Sequence, residues 1–323
     1  MELVTLNIGH FKKLNQVSFN FCPSVNILTG PFSSGKSTLI HALEMMSYLA
    51  LGKTRDFFRE NPIEHDTQRP LLQVEVVFRT DGRFLAWEHH FHVPENKLVF
   101  EKIREGPALE TMNDLLVYED QTMWVREGDQ ISTYPFQTWT FRDSALDWTK
   151  LDEYPTYTAV RKNIQRWAER FCNLGELDPQ SLGGTSSFRY PTFWKHGNGF
   201  TGFLAGLRPH LRQRVMARMQ RYFPRLTSIK PKIKPGWVTV ECRDNGIYRP
   251  IHQLGYGQLR LLALSAIPEL RSSFLVLEGL EHGIYPELLP LVIEDLNAAP
   301  FQILATTYSP ELLPACPEPI TLQ

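Results

Sequence analysis

An α/β fold with a mostly parallel core sheet is predicted for this chain of 323 residues. Three observations predict it. A glycine-rich loop near residue 30 lies between an apolar strand and an apolar helix, runs of alternating polarity between residues 72 and 103 are typical of antiparallel strands, and strand–helix–strand alternation follows residue 257. Apolar strands next to helices are predicted near residues 25, 274 and 302. We therefore expect the core sheet to contain elements from both ends of the chain.

The glycine-rich loop is a complete phosphate-binding motif. Residues 30 to 37 read Gly-Pro-Phe-Ser-Ser-Gly-Lys-Ser, which matches G-x-x-x-x-G-K-[ST]. Backbone N–H groups of such a loop wrap an anionic phosphate, the Lys36 ammonium reaches the β- and γ-phosphates, and the Ser37 hydroxyl ligates Mg²⁺. The sequence therefore predicts binding of a nucleoside triphosphate with Mg²⁺, through Gly30, Pro31, Phe32, Ser33, Ser34, Gly35, Lys36, Ser37 and Thr38.

Three further motifs follow in the last third of the chain. A short glycine-rich loop at residues 254 to 258 opens an apolar helix, and about 20 residues later an apolar strand ends in Glu278. A carboxylate at the carboxyl end of a parallel strand lies where open α/β sheets bind ligands, and it can hold Mg²⁺ directly or through water. A turn at residues 281 to 286 comes next, and the strand at residues 303 to 306 leads into Thr307-Tyr308-Ser309-Pro310.

The order of these motifs resembles the ABC-type ATPases of the OLD, RecF and SMC group, especially the compact "AAA family ATPases" without long coiled coils. The resemblance covers nearly the whole chain, from an opening strand pair around Phe11-Lys12-Lys13 to the closing Thr-Thr-Tyr-Ser-Pro. It implies an ABC ATPase head with an antiparallel β subdomain and a helical insert. It also implies that two heads form a homodimer or higher homo-oligomer around two ATP molecules, with the partner's signature loop over each γ-phosphate.

The resemblance assigns a role to several residues. Glu278 takes the position of the Walker B carboxylate and, with Ser37, that of the Mg²⁺ ligands. Tyr308 takes the position of the switch residue, Lys12 lies near the nucleotide base, and Gln137 is the candidate for the glutamine that senses Mg²⁺. The signature falls on Gly255, Tyr256, Gly257 and Gln258.

The chain departs from this group at the position that activates the attacking water. A second acid usually follows the Walker B carboxylate, but Gly279 stands there, and a glycine has no group that accepts a proton. Glu281 lies two positions further on, and Tyr308 replaces the usual histidine. Hydrolysis is therefore expected to be slow, to depend on Glu281 or a partner residue, or to be absent, with Glu281 and Tyr308 as candidate catalytic residues.

Three lobes are expected: a nucleotide-binding lobe at residues 1–140, a basic, mainly helical lobe at 141–235, and a C-terminal lobe at 236–323. Residues 179 to 240 contain no Asp or Glu and carry a net charge of +11, whereas the rest of the chain carries −12. Such segregation is typical of a surface for DNA or an acidic partner, and also of a basic lobe that packs against the chain's own acidic part. Candidate DNA contacts are Arg208, Arg212, Arg214, Arg218, Arg221 and Arg225.

Two functions remain open from the sequence. One is an ATP-driven dimerising switch that controls a separate effector, a nuclease or toxin, in bacterial antiphage defence or DNA repair; the other is a non-hydrolysing, ATP-bound scaffold. A GTPase is disfavoured because no Asn-Lys-x-Asp occurs, and a Toprim nuclease because no Asp-x-Asp follows Glu278.

No apolar stretch reaches about 18 residues, no secretory signal opens the chain and the four cysteines are dispersed, so a cytoplasmic location without membrane contact is expected.

Overall fold

A computed structural model describes residues 1–62, 71–95, 97–135, 144–190, 192–310, 312 and 319–322. The chain forms two compact units, which divide it differently from the three expected lobes. The first unit contains Met1–Pro23 and Ser33–Phe171, and the second contains Ser24–Phe32 and Cys172–Gln323. Residues of the expected basic lobe fall in both units, since the helix Pro155–Glu169 belongs to the first unit and residues 172–235 belong to the second.

The strands in the described part of the chain are β1 (Glu2–Phe11), β2 (Leu14–Asn20), β3 (Val25–Thr29), β4 (Leu71–Thr80), β5 (Arg83–His92), β6 (Lys97–Gly106), β7 (Asn113–Glu119), β8 (Thr122–Glu127), β9 (Gln130–Pro135), β10 (Phe171–Glu176), β11 (Leu226–Lys234), β12 (Trp237–Asp244), β13 (Ile247–Pro250), β14 (Phe274–Glu278), β15 (Gln302–Thr306) and β16 (Ile320–Thr321). The helices are α1 (Lys36–Ala50), α2 (Thr54–Glu60), α3 (Pro155–Glu169), α4 (Pro179–Gly183), α5 (Phe200–Gly206), α6 (Pro209–Tyr222), α7 (Tyr256–Ala266) and α8 (Leu289–Asn297).

The first unit is built on an eight-stranded antiparallel sheet in the order β2-β1-β4-β5-β6-β7-β8-β9. In β4, alternate side chains from Leu72 to Phe78 are buried, which is the period of a strand with one face on a core. The antiparallel sheet was predicted as far as residue 103, but it extends through β7, β8 and β9. Helix α3 buries Val160, Ile164 and Trp167 on one face, and the centroid of the Trp167 ring lies 5.1 Å from that of the Phe78 ring.

The second unit contains the core sheet, in the order β10-β14-β15-β3-β16. β14 pairs parallel with β15, and β3 pairs parallel with both β15 and β16. Strand β3 therefore lies between strands from the other end of the chain, and the prediction of a mostly parallel sheet with elements from both chain ends is confirmed. The side chains of Ile27, Leu275, Leu277 and Ile303 belong to its buried hydrophobic core.

A separate three-stranded antiparallel sheet, β11-β12-β13, also belongs to the second unit. Its first strand contains Pro231, which has no N–H group to donate. A proline fits because β11 is an edge strand, where one row of N–H groups needs no partner. Between α4 and α5, the described residues contain a 3₁₀ turn at Lys195–Gly197.

Candidate nucleotide-binding site

The phosphate loop, residues 30–37, connects β3 to α1 through an unusual backbone. Gly30, Ser33 and Gly35 have φ angles of 150°, 61° and 108°. A Cβ atom on Gly35 would lie 2.9 Å from the Leu14 Cδ2 atom, so both its conformation and its surroundings favour glycine. The Leu39 N–H donates to the Gly35 carbonyl at 2.9 Å and begins the helix. The predicted strand–loop–helix arrangement is confirmed.

The first turn of α1 suits an anion. Its N-cap residue, Gly35, offers no side-chain cap, and no acidic residue lies in that turn. The backbone N–H groups of the first turn and the helix dipole are thus available to a phosphate. Lys36 is buried and Ser37 exposed, while the Ser34 hydroxyl oxygen is a buried atom that has no hydrogen-bond partner among the described residues. These groups fit the phosphates of a nucleotide.

Lys12 lies in the turn between β1 and β2, in the same unit as α1. Its ammonium nitrogen is 3.0 Å from Nδ1 of His41 on α1. Burial lowers the pKa of Lys12, and the charge of Glu44 opposes that effect. The predicted contact of Lys12 with a nucleotide base remains a prediction.

In the second unit, Glu278 ends β14 at the carboxyl edge of the parallel sheet, as the sequence predicts. Its pKa is raised from the ordinary value, mainly because burial disfavours the charged form. The positive charges of Lys195 and His196 oppose this shift, and the negative charge of Glu176 adds to it. A half-buried carboxylate with nearby cations is a suitable oxygen ligand for Mg²⁺ beside phosphate oxygens. The described residues contain no cluster of three or more His, Cys, Asp or Glu side chains that could hold a metal alone.

The signature residues open helix α7. The Gly255 N–H donates to the Gln258 Oε1 atom at 3.0 Å, so Gln258 caps its own helix. Gly255 and Tyr256 are exposed. A Cβ atom on Gly257 would lie 2.5 Å from the carbonyl oxygen of Gly283, and one on Gly283 would meet the Tyr256 ring. The signature therefore packs closely against residues 278–283, which we call the acidic turn.

Arg260 holds the backbone of the acidic turn through a hydrogen bond. This residue was not identified from the sequence. It is fully buried, with 0% exposure, and it donates to the carbonyl oxygens of Leu177 at 2.8 Å and Gly279 at 2.6 Å. Its pKa is lowered mainly by burial. The signal available in the sequence was a single arginine inside the apolar stretch 259–264. An isolated cation on an apolar helix face usually needs buried acceptors.

The acidic turn and the switch position are joined through Glu281. The Glu281 Oε1 atom accepts the Tyr308 N–H at 2.8 Å, whereas Oε2 is buried and has no partner among the described residues. Tyr308 also stacks on the Phe32 ring of the phosphate loop, with centroids 4.7 Å apart, and these rings are 46% and 82% exposed. The two candidate catalytic residues therefore lie together.

One further pair was missed because its members are 106 positions apart. The His282 Nδ1 atom lies 2.7 Å from the Glu176 Oε1 atom, at the ends of the acidic turn and of β10. Gln137, the candidate Mg²⁺ sensor, lies outside the described residues.

Several arginines of the basic segment pair with acids of the second unit. Glu269 contacts Arg214 at 3.2 Å and Arg218 at 2.9 Å, and Arg221 contacts Glu294 at 2.8 Å and also Asp295. Arg212 donates to the Leu207 carbonyl oxygen. For these arginines the structure favours the alternative in which the segment packs on the chain's own acids. Arg208 and Arg225 are exposed.

A phosphate loop between β3 and α1, with a glycine-rich helix start and a strand that ends in an acid, defines a P-loop ATPase head of the ABC type. Two family models match: residues 5–132 match an "AAA domain", and residues 190–313 match an "AAA domain, putative AbiEii toxin, Type IV TA system". Over these two segments the chain is similar to AAA-type ATPase domains, and each match covers less than half of the chain.

Individual relatives agree with this assignment. The DNA replication and repair protein RecF of Psychromonas ingrahamii is 32% identical over 77 residues, which are 24% of this chain and 21% of the relative. The chain thus spans about a fifth of the length of the curated relative. The SMC head domain from Thermotoga maritima has a TM-score of 0.52 at 13% identity, with 98% of this chain and 93% of that chain covered.

A second solved structure, the SmcHead bound to the C-winged helix domain of ScpA, has a TM-score of 0.58 at 10% identity over 98% of this chain and 93% of that chain. At these identities the solved structures show the fold. No helix among the described residues is both long and apolar enough to cross a membrane.

Proposed function

We propose that this protein is an ATP-driven, dimerising switch ATPase that controls a separate effector, a nuclease or toxin, in bacterial antiphage defence or DNA repair in the cytoplasm. The observation that carries the proposal is the phosphate loop, with its left-handed glycine, uncapped helix start and buried lysine. The matches to RecF and to a toxin-related AAA domain support the choice of biological setting.

Each residue has a defined part in this proposal. Residues 30 to 38 surround the phosphates, Lys36 neutralises the β- and γ-oxygens, and Ser37 and Glu278 hold Mg²⁺. Lys12 lies near the base. Mg²⁺, when bound, offsets negative charge on the β- and γ-phosphates. Glu281 and Tyr308 form a linked element that follows the state of the phosphate loop through the Phe32 ring.

Dimerisation follows from the exposed signature. Gly255 and Tyr256 face solvent at the start of α7, where N–H groups attract an anion, while Arg260 and the acidic turn fix them from behind. In a second copy these groups would cover the γ-phosphate, so that ATP completes the contact. The resulting change of oligomeric state would hold or release the effector.

ATP binding is tested by calorimetric titration of ATP·Mg²⁺ into the wild type, Lys36→Ala and the matched control Lys53→Ala, whose lysine is exposed beyond the end of α1. We expect the first substitution to weaken binding about 10- to 100-fold, since a charge-assisted hydrogen bond contributes about 1.5–3 kcal/mol. The control should bind like the wild type. Equal affinity for all three proteins would contradict the proposal.

Light scattering after size-exclusion chromatography tests the switch. We expect a mass increase with ATP and Mg²⁺ in the wild type that Lys36→Ala and Tyr256→Arg both lose, although Tyr256→Arg still binds ATP as a monomer. Tyr248→Arg, which alters an exposed tyrosine of the three-stranded sheet, is the control. If ATP and Mg²⁺ do not change the mass of the wild type, the proposal of a dimerising switch is wrong.

A non-hydrolysing scaffold is the second candidate, and Gly279 favours it because it stands where the second acid is found in similar ATPases. The two functions differ in phosphate release. Turnover by the wild type above the Lys36→Ala background supports the switch, and ATP binding without turnover supports the scaffold.

DNA contact is a further part of the proposal, now centred on the exposed Arg208 and Arg225. Fluorescence anisotropy with labelled duplex should give an affinity that falls steeply with salt and that drops in Arg208→Glu/Arg225→Glu. Binding that ignores both salt and these substitutions would exclude this surface.

A further inference from the structure

The site of the missing acid is filled by a histidine ring. Gly279 has a φ angle of 60°, and a Cβ atom built on it would lie 2.5 Å from both Cε1 and Nδ1 of His282. The imidazole therefore lies where a side chain at position 279 would begin. The glycine at 279 and the histidine at 282 are consequently one structural feature, because any larger residue at 279 would displace the ring.

The ring is held in a defined orientation. The ring Nδ1 atom is 2.7 Å from the Glu176 carboxylate. The backbone N–H of His282 donates to the Gly279 carbonyl oxygen at 3.1 Å. A carboxylate only accepts hydrogen bonds, so the neutral ring donates through Nδ1 and keeps its lone pair on Nε2. The side chains of His282 and Glu176 are 39% and 53% exposed, which leaves water access to the pair.

The turn backbone below the ring is fixed on both sides. The Gly279 N–H donates to the Thr306 Oγ1 atom at 3.0 Å, and its carbonyl accepts from Arg260. Charged groups also lie around the pair: Lys195 and His196 act on the neighbouring Glu278, and the His196 Nδ1 atom lies 3.0 Å from the Glu176 carbonyl oxygen. The Glu176 charge acts on both Glu278 and Arg260, so the pair shares the electrostatic environment of the Walker B carboxylate.

We propose that His282, oriented by Glu176, is the general base that activates the attacking water in place of the acid absent from position 279; this inference rests on the proposed ATPase function. The His282 Nε2 atom takes a proton from water as the water oxygen bonds to the γ-phosphorus. The bond from that phosphorus to the bridging oxygen breaks, and its electron pair leaves with ADP. The imidazolium, stabilised by the Glu176 carboxylate, then releases its proton to solvent. Glu281 is the alternative base, since its Oε1 atom accepts the Tyr308 N–H while its Oε2 atom has no partner among the described residues.

Turnover and binding are measured for His282→Ala, with His210→Ala as the matched control on an exposed histidine of α6. We expect kcat to fall about 10²- to 10⁴-fold, as general-base removal does, with the ATP dissociation constant changed less than about 2-fold. Added imidazole should restore part of the kcat of His282→Ala. A loss of kcat that imidazole does not restore would assign His282 a structural role and overturn the proposal.

Glu176 is tested as a positioning residue by nitrogen NMR of histidine-labelled protein without nucleotide. The His282 signal is the one that disappears in His282→Gln. We expect the Nδ1–H tautomer in the wild type and in Glu176→Gln, whose amide oxygen still accepts, and the Nε2–H tautomer in Glu176→Ala. Glu287→Gln, on an exposed carboxylate, should leave the signal unchanged. A wild-type ring in the Nε2–H form would overturn the proposal.

The possible failures are distinguishable. If the wild type does not bind ATP, both the proposed function and this inference are wrong. If the wild type binds ATP but hydrolyses it no faster than Lys36→Ala does, the hydrolytic switch and the general base are both wrong. A wild type that turns over normally, with His282→Ala unchanged and Glu281→Gln inactive, removes only this inference and makes Glu281 the base.

Discussion

The phosphate loop and the acidic turn both follow a buried parallel strand, yet they are built by different means. The phosphate loop, after β3, depends on the backbone conformation of consecutive residues such as Gly35. The acidic turn, after β14, depends on partners from elsewhere, namely Arg260 of α7, Thr306 of β15 and Glu176 of β10. A site made of backbone groups therefore keeps a contiguous motif, whereas one made of side chains can be rebuilt from distant positions.

Arg260→Met gives the largest expected effect and would break the acidic turn. Two hydrogen bonds from a charged donor to buried carbonyl groups are lost, and each such bond contributes about 1.5–3 kcal/mol. The Gly279 carbonyl keeps the backbone N–H of His282 as a donor. We expect the free energy of unfolding, from urea denaturation, to fall by about 3 kcal/mol. Arg271→Met, at an exposed arginine, should change it by less than about 0.5 kcal/mol. Similar stability of the two variants would show that Arg260 is not a support.

Gly35→Ala tests the backbone basis of the phosphate loop. A non-glycine residue at a φ angle of 108° is strained by about 1–3 kcal/mol, so relaxation of the loop should weaken ATP binding about 10-fold or more. Gly52→Ala places similar strain, at a φ angle of 65°, just beyond the other end of α1 and should leave ATP affinity unchanged. Equal losses of affinity in the two variants would mean that the loop conformation has no special role.

Gly279→Ala is the corresponding change in the acidic turn, and it should retain ATP binding. We expect a loss of about 2 kcal/mol in unfolding free energy, from left-handed strain and from contact with the His282 ring. Adding His282→Ala should recover the contact part, which a double-mutant cycle measures. Gly246→Ala, at a φ angle of 81° with no atom within 4 Å of the new Cβ, gives the strain alone. A coupling energy of zero would show that a side chain at position 279 does not contact the His282 ring.

Glu278→Gln gives the smallest expected effect and depends on pH. Burial raises the pKa of Glu278 in the folded protein, so ionisation opposes folding and stability is lost as pH rises through that raised pKa. The substitution should therefore raise the Tm of the nucleotide-free protein at pH 8. The difference should vanish below the ordinary carboxyl pKa of 4.5, where both states are protonated. Glu287→Gln, at an exposed carboxylate, is the matched control. A Tm of Glu278→Gln below that of the wild type at pH 8 would contradict this assignment.

The sequence predicted the elements whose determinants are local. Strand β3, helix α1 and the strand that ends in Glu278 follow from an apolar run, a glycine motif and the next periodic segment. The hydrogen bond of His282 to Glu176 could not be predicted, because it requires β10 to lie beside β14 in the sheet. Tertiary packing sets the order of strands in a sheet. The sequence of a short strand such as β10 does not indicate which strand will be its neighbour.

The charge pattern left two alternatives open for a related reason. A run of arginines shows that a surface is basic but not what it faces. Arg218 and Arg221 lie on α6, and their acidic partners come from α8 and from Glu269, just after α7. The partners are 51 and 74 positions away from them along the chain. Opposite charges at such separations meet only after the helices have packed.

The position of β3 has a consequence for how the chain matures. This strand is made early, but its neighbours in the sheet are residues 302–306 and 320–321. During synthesis the segment that leads into the phosphate loop must wait, unpaired and apolar, until those residues leave the ribosome. Nascent chains arrested before residue 302 should therefore recruit chaperones, and nucleotide capture becomes a late event in the life of each molecule.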